Sequence, residues 1–127
     1  MIDFHGTWLV SLFRYVDIII DRSILENDWL TQNKRMTSID DFDELMFQIY
    51  DGLDSDYFID KMNEMNSSKN IDCFIFFLNS LKGIQQNDYK DLKTLLDSDE
   101  WAQIIKNAKM VLDCKDGIME DLKDASF

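Results

Sequence analysis

Few side chains in this sequence could support catalysis. His5 is the only histidine among 127 residues, so no Ser-His-Asp or Cys-His pairing can form without it. The four glycines are isolated from one another, which rules out a glycine-rich phosphate loop, and the sequence contains no HExxH zinc motif. The many carboxylate pairs are expected by chance in so acidic a chain. The sequence therefore predicts a protein that is not an enzyme.

The acidic stretch 51–56 is the one place that suggests a metal site. A calcium loop of the EF-hand type needs glycine at its sixth position and glutamate at its twelfth. Counted from Asp51, these positions hold Asp56 and Met62. A count that starts at Asp54 fails in the same way. The sequence therefore predicts no metal ion and no cofactor.

The charge of the chain is strongly negative and unevenly distributed. The 25 acidic and 13 basic residues give a net charge of −12. Segment 38–66 alone holds 9 acids and 1 base, so 29 residues carry −8 of that charge. Such a chain repels nucleic-acid phosphates and anionic membranes, and it attracts cationic proteins or metal ions. We therefore expect a basic protein partner, no direct binding of nucleic acid and no membrane association.

Within this segment, carboxylates surround an aromatic residue that lies off the apolar stripe. On a helix through 38–53, Phe47 falls in the middle of an acidic arc on the outer side. One interpretation is a solvated face whose acids suit the positive end of the helix dipole, with Phe47 touching a neighbouring helix. The other is an interface, in which an aromatic anchor ringed by charge faces a basic partner. The candidate partner-binding residues are Asp40, Asp43, Glu44, Phe47, Asp51 and Asp54.

The element around which the fold is expected to form is a helix over about 70–82. Residues 73–78 are six apolar residues without a break, and a helix that is apolar on nearly every side belongs inside a core. Ser67 or Ser68 can cap its start, and Gly83 can end it. A short buried strand is the alternative that an unbroken apolar run leaves open. The residues expected to be buried are Phe74, Ile75, Phe77, Leu78 and Leu81.

Apolar residues at helical spacing recur through the rest of the chain, and there are no prolines. This pattern predicts one all-α domain over residues 1–127, with six or seven helices packed around the central one. Helix starts are expected at capping residues or after a breaking glycine. These positions are Thr7, Asn27, Ser38, Asp54 or Ser55, Asn87 or Asp88, Asp97 or Ser98, and Gly117.

The two cysteines and the N-terminal residues indicate the compartment. Cys73 lies in the apolar run, where we expect a small core residue rather than half of a disulfide with Cys114. The first residues lack the basic region and cleavage site of a signal peptide. Residues 9–20 are apolar but include Arg14 and Asp17, so they are not expected to span a membrane. These observations predict a cytoplasmic protein.

A small, acidic, cysteine-poor domain without a cofactor site resembles the immunity proteins of bacterial toxin systems. These include the all-helical immunity proteins of contact-dependent growth inhibition and of colicins. The resemblance is one of overall character and covers the whole chain. It implies that the protein binds a cognate toxin domain, often a basic nuclease, and blocks its active site.

Two other functions fit the same charge. In the first, the protein is a nucleic-acid mimic whose carboxylates imitate phosphates and occupy a DNA-binding protein. In the second, it is a helical adaptor with no antagonistic role. Regular carboxylate spacing along an elongated surface would indicate mimicry, whereas a compact patch with an exposed aromatic residue would indicate immunity.

Overall fold

A computed structural model describes residues 4–31, 41–65 and 68–123, and every regular element in these ranges is helical. The α-helices are α1 (Phe4–Ile20), α2 (Arg22–Leu25), α3 (Phe42–Met46), α4 (Ser55–Asn63), α5 (Lys69–Lys82), α6 (Leu92–Leu96), α7 (Asp99–Asp113) and α8 (Lys115–Leu122). A first π-helix covers Glu26–Thr31, a second π-helix covers Phe47–Gly52, and a 3₁₀ turn covers Gln86–Asp88. No residue in the described ranges lies in a strand, so the predicted all-α class is confirmed.

The central helix lies where the apolar run predicted it. Ser68 caps α5, and its side chain accepts a hydrogen bond from the Ile71 amide at 3.2 Å. Around α5 pack α4, α7 and α8, while α1 packs against α7. The residues of α5 that face this core are Ile71, Phe74, Phe77, Leu78 and Leu81. The strand alternative is therefore wrong, because this run is helical throughout.

Aromatic rings join α1 and α4 to the central helix. Trp8 of α1 stacks on Phe58 of α4 with ring centroids 4.3 Å apart, and it also contacts Phe74 of α5 at 5.5 Å. Phe13, further along α1, stacks on the same Phe74 at 5.8 Å. Such pairs add stability beyond the burial of their area. The N-terminal half of α1 is thereby fixed against both α4 and α5.

One detail of the core differs from the expectation. Ile75 was expected to be buried, but it is only half-buried, and the neighbouring Phe76 is 61% exposed. One side of α5 therefore reaches solvent although its sequence is apolar there. The described residues form eight α-helical segments, which are α5 and seven others, in agreement with the predicted number. Two of the seven, capped by Asp21 and Asp91, have only 4 and 5 residues.

Several helices begin at other residues than predicted. Helix α1 begins before Thr7, so that residue lies inside the helix and has no cap to form. The helix expected at Asn27 is capped by Asp21 instead and continues into the first π-helix. Asp41 caps α3 through the Glu44 amide at 2.8 Å, whereas Ser38 lies outside the described residues. In the second and third cases the cap is a nearby aspartate, Asp21 or Asp41.

The later helix boundaries agree only in part with the predicted caps. Asp91 rather than Asn87 or Asp88 caps α6, and its carboxylate accepts from the Thr94 amide at 2.8 Å. Ser98 caps α7 as predicted, through the Trp101 amide at 3.0 Å. Gly83 ends α5 with φ −74°, so the left-handed geometry that favours glycine is not used there.

Gly117 was expected to break the chain, but it lies inside α8, and the break falls at Cys114. A Cβ at residue 117 would lie 2.2 Å from Asn70 Nδ2. Glycine therefore allows the start of α5 to approach α8 closely. In the same contact, the side chain of Asp121 accepts a hydrogen bond from Ser68 Oγ at 2.7 Å.

Both cysteines are free and half-buried, and Cys73 packs against the core. Burial raises the pKa of the Cys73 thiol, and the adjacent thiol of Cys114 raises it further. Across the described ranges, none of the helices combines the length and the apolar character that crossing a bilayer requires.

Candidate functional site

Three of the predicted partner-binding residues follow one another along the solvent side of α3 and the second π-helix. Asp43, Phe47 and Asp51 are spaced by four residues, and all three are exposed. Phe47 is 55% exposed, so more than half of its side chain remains in contact with solvent. Asp54, also exposed, follows just beyond the π-helix. We call these four residues the acidic face.

Of the other two predicted residues, Glu44 does not belong to this face. Glu44 is half-buried, and its carboxylate accepts a hydrogen bond from Gln48 Nε2 at 2.9 Å. Gln48 Oε1 in turn accepts from the Tyr15 hydroxyl of α1 at 3.3 Å. Burial raises the pKa of Tyr15; Arg14 opposes the shift and Glu44 adds to it. Glu44 thus links α3 to α1, while Asp40 lies outside the described residues.

The backbone under the acidic face is a π-helix rather than the α-helix that periodicity predicted. Residues Phe47–Gly52 are π-helical, and the Leu53 amide continues the pattern by donating to the Gln48 carbonyl at 2.9 Å. π-Helical segments are rare and occur frequently at functional sites. No residue type in this segment distinguishes a π-helical turn from an α-helical one, so the sequence does not predict the π-helix. The wider turn still keeps Ile49 in the core and Phe47 outside it.

Tyr50 ties the second π-helix to the C-terminal end of α5. Its hydroxyl donates to the Leu78 carbonyl at 2.5 Å. Lys82 Nζ lies 5.9 Å from the centroid of the Tyr50 ring and forms an ion pair with Asp56 at 2.6 Å. Burial raises the pKa of Tyr50 strongly, and the charge of Asp56 raises it further. A hydrogen bond therefore holds the second π-helix against α5, and an ion pair holds the start of α4 there.

A buried serine fixes the corner between the second π-helix and α4. Ser55 is fully buried; its hydroxyl accepts from Trp8 Nε1 at 3.2 Å and donates to the Ile49 carbonyl at 2.6 Å. Asp54 precedes it in the left-handed conformation, with φ 53° and ψ 45°. The Asp54 side chain makes no capping hydrogen bond to α4, although it occupies the N-cap position. The corner thus turns the Asp54 carboxylate away from the usual role of a helix cap.

The carboxylates of the acidic face are not neutralised by other parts of the described chain. Nearby acids are engaged elsewhere: Asp56 pairs with Lys82, and Glu64 lies 3.7 Å from Lys61. The side chains of Asp43, Asp51 and Asp54 have no hydrogen bond or ion pair to any described residue. Unpaired charges of one sign create a local field that attracts cations.

The acidic face is not a metal-binding cluster. Over the part of the chain that the structure describes, no three His, Cys, Asp or Glu side chains are grouped so that they could hold a metal ion. No protein-family model, curated protein or solved structure matches the chain. What the acidic face can do must therefore be argued from its own chemistry, which is to present one apolar ring among fixed negative charges.

Proposed function

We propose that this protein is an inhibitor that binds a basic protein through the acidic face, and that its partner is a toxin domain. The observation that carries the proposal is Phe47, an aromatic side chain 55% exposed to solvent between the carboxylates of Asp43 and Asp51, which pair with no described residue. An exposed aromatic ring loses contact with water when a partner covers it. Anchors of this kind contribute much of the free energy of binding at protein interfaces.

The charges around Phe47 give the interface its preference for a cationic surface. Described residues 41–65 hold eight acids and one base, which gives a net charge of −7. A field of this kind speeds association with an oppositely charged protein by about 10 to 1,000-fold, and salt weakens the effect. It also opposes the approach of nucleic acid, so the proposal includes no direct binding of DNA or RNA.

The rigidity of the acidic face supports a binding role. Gln48 ties the second π-helix to α1, Tyr50 ties it to α5, and Ser55 ties its far end to Trp8. A surface that is already ordered in the free protein loses less conformational entropy on binding. The hydrogen bonds that hold the acidic face therefore lower the cost of forming a complex.

A nuclease toxin is the partner that this chemistry fits best. The active site of a nuclease must attract phosphates, so it is positively charged, and an acidic surface complements it. The inhibitor then works by occupying that site, with no catalytic step and no cofactor of its own. We further propose that it acts in the cytoplasm, where half-buried free thiols such as Cys73 and Cys114 remain reduced.

The test uses the protein encoded immediately upstream, which the proposal expects to carry a basic toxin domain at its C-terminus. Association is measured at low and high salt for wild type and for Asp43→Lys with Asp51→Lys. Each substitution replaces a negative charge by a positive one, so the two together change the net charge from −12 to −8. The matched control is Asp88→Lys with Asp113→Lys, which changes the net charge equally at exposed sites on other elements.

The proposal expects the first double variant to associate about tenfold or more slowly at low salt, with a weaker salt dependence. The control should stay close to wild type because the relevant charges are local. Equal slowing of both variants would show that only the overall charge matters, and the acidic face would not be the interface. Failure of the upstream protein to bind, or its unchanged activity in the complex, would refute inhibition of a toxin.

A further inference from the structure

A cavity of about 480 Å³ opens at the end of the acidic face, where the second π-helix meets α4 and α1. Its buried walls are the rings of Trp8 and Phe58, which stack on one another at 4.3 Å. Leu53 adds an apolar wall, and Tyr57, 41% exposed, lies closer to solvent. The volume falls within the range of ligand-binding sites in proteins, about 300–1,000 Å³.

Among the described residues that line this largely apolar cavity, Asp54 is the only acid. Its carboxylate is exposed, it does not cap α4, and it has no ion pair with any described residue. The Tyr57 ring already lies near one cation, since Lys61 Nζ is 5.6 Å from its centroid. Aromatic rings attract cations through their electron-rich faces, and Arg does so more often than Lys. The cavity therefore combines the two groups that recognise an organic cation, aromatic rings and a carboxylate that pairs with no described residue.

We propose that this cavity receives an arginine side chain of the basic partner, with Asp54 as its counter-ion and the aromatic rings against its apolar stem. This inference rests on the proposed function and specifies how the partner is recognised. A guanidinium group is planar, so it stacks on a ring such as Tyr57 and forms paired hydrogen bonds with a carboxylate. The three methylene groups of arginine match the apolar walls, since long cationic side chains bury their stems against apolar surface.

The cavity lies at the C-terminal end of the acidic face. Phe47, Asp51 and Asp54 follow one another along the chain, and the last of them lines the cavity. A partner that covers Phe47 would thus present an arginine to Asp54 at the edge of the same contact. Asp54 has a left-handed backbone and its carboxylate does not cap α4, so the carboxylate can contact the partner.

The experiment is an NMR titration of the free protein with Nα-acetylarginine amide. Nα-acetylcitrulline amide is the matched ligand, because its side chain has almost the same shape but carries no charge. The signals to follow are the Trp8 indole N–H and the backbone amides of Leu53 and Asp54. We expect arginine to shift these signals saturably and citrulline to leave them in place.

Two variants locate the counter-ion. Asp54→Asn removes the charge and keeps the backbone, because Asn adopts the left-handed conformation as readily as Asp does. It should weaken arginine binding about tenfold, the value of one charge-assisted hydrogen bond. Asp60→Asn, which neutralises an exposed acid of α4 outside both the cavity and the acidic face, should bind like wild type. Equal shifts from both ligands, or unchanged arginine binding by Asp54→Asn, would overturn the assignment.

The titration does not need the partner, so it separates the two proposals. If the charge-reversal kinetics hold and arginine does not bind, the cavity assignment is wrong and the inhibitor proposal stands. If arginine binds at Asp54 and the upstream protein does not bind at all, the cavity is an arginine site and the inhibitor proposal is wrong.

Discussion

The buried hydroxyl of Ser55 offers the sharpest test of how the acidic face is held in place. Ser55→Ala removes a hydrogen bond of 2.6 Å to the Ile49 carbonyl. It also removes the acceptor of Trp8 Nε1–H, which lies 3.2 Å away in a side chain that is only 3% exposed. The methyl group of alanine occupies nearly the same volume, so loss of packing contributes little. The substitution therefore isolates the polar contribution of the corner between the second π-helix and α4.

The expected cost follows from these two bonds. A neutral hydrogen bond contributes about 1 kcal/mol, and a buried donor left without an acceptor costs about 1–3 kcal/mol. Together they predict a loss of about 2–4 kcal/mol in the free energy of unfolding. For a domain of this length, such a loss lowers the melting temperature by about 7–15 °C.

The assay is urea unfolding followed by circular dichroism, with calorimetry for the melting temperature. Ser23→Ala, at an exposed position of α2, is the control and should stay within about 0.5 kcal/mol of wild type. A loss below about 0.5 kcal/mol for Ser55→Ala would show that the Trp8–Ser55–Ile49 connection does not hold the corner. The acidic face would then be held in place only by the hydrogen bonds of Gln48 and Tyr50.

Two other predictions concern the core and alkaline pH. Phe77→Ala should lower the free energy of unfolding in urea by about 3–5 kcal/mol because the Phe77 side chain is fully buried. Phe76→Ala, at a neighbouring side chain that is 61% exposed, should lower it by less than about 1 kcal/mol. Similar losses for both substitutions would refute the assigned buried face of α5. Tyr50→Phe should cost about 1 kcal/mol at pH 7 through its lost hydrogen bond. Burial raises the pKa of Tyr50, so above pH about 10 the folded protein keeps the phenolic proton that the unfolded chain loses. The contribution of Tyr50 to the free energy of unfolding is therefore complete below the ordinary tyrosine pKa of about 10 and declines above it. The difference in unfolding free energy between wild type and Tyr50→Phe should therefore be smaller at pH 11 than at pH 7. An undiminished difference at pH 11 would contradict the raised pKa of Tyr50.

The fold class, the central helix and the exposure of much of the acidic face could be predicted because each depends on local order in the sequence. An unbroken apolar run with Ser68 before it specifies α5 by burial and capping alone. The four-residue spacing of Asp43, Phe47 and Asp51 puts them on one side of any helix through this segment. Their exposure follows once Leu45 and Ile49 enter the core.

Features that depend on contacts between distant residues could not be predicted. The Tyr50 hydroxyl finds a carbonyl 28 residues away, and Ser55 meets Trp8 across 47 residues. Periodicity places a residue on a face, but it does not say which atom of another helix arrives there. For the same reason periodicity does not reveal that Glu44, a predicted partner-binding residue, also accepts a hydrogen bond from Gln48 and so supports the acidic face.

The central claim, that Phe47 anchors a protein partner, is tested most directly by the rate at which the complex with the upstream-encoded protein dissociates. Phe47→Ala is compared with Phe76→Ala, an aromatic residue of similar exposure on α5, at 61% against 55%. The account predicts that Phe47→Ala dissociates about tenfold or more faster, with a melting temperature close to that of wild type, while Phe76→Ala dissociates like wild type. Unchanged dissociation of Phe47→Ala, or an equal effect of Phe76→Ala, would contradict it.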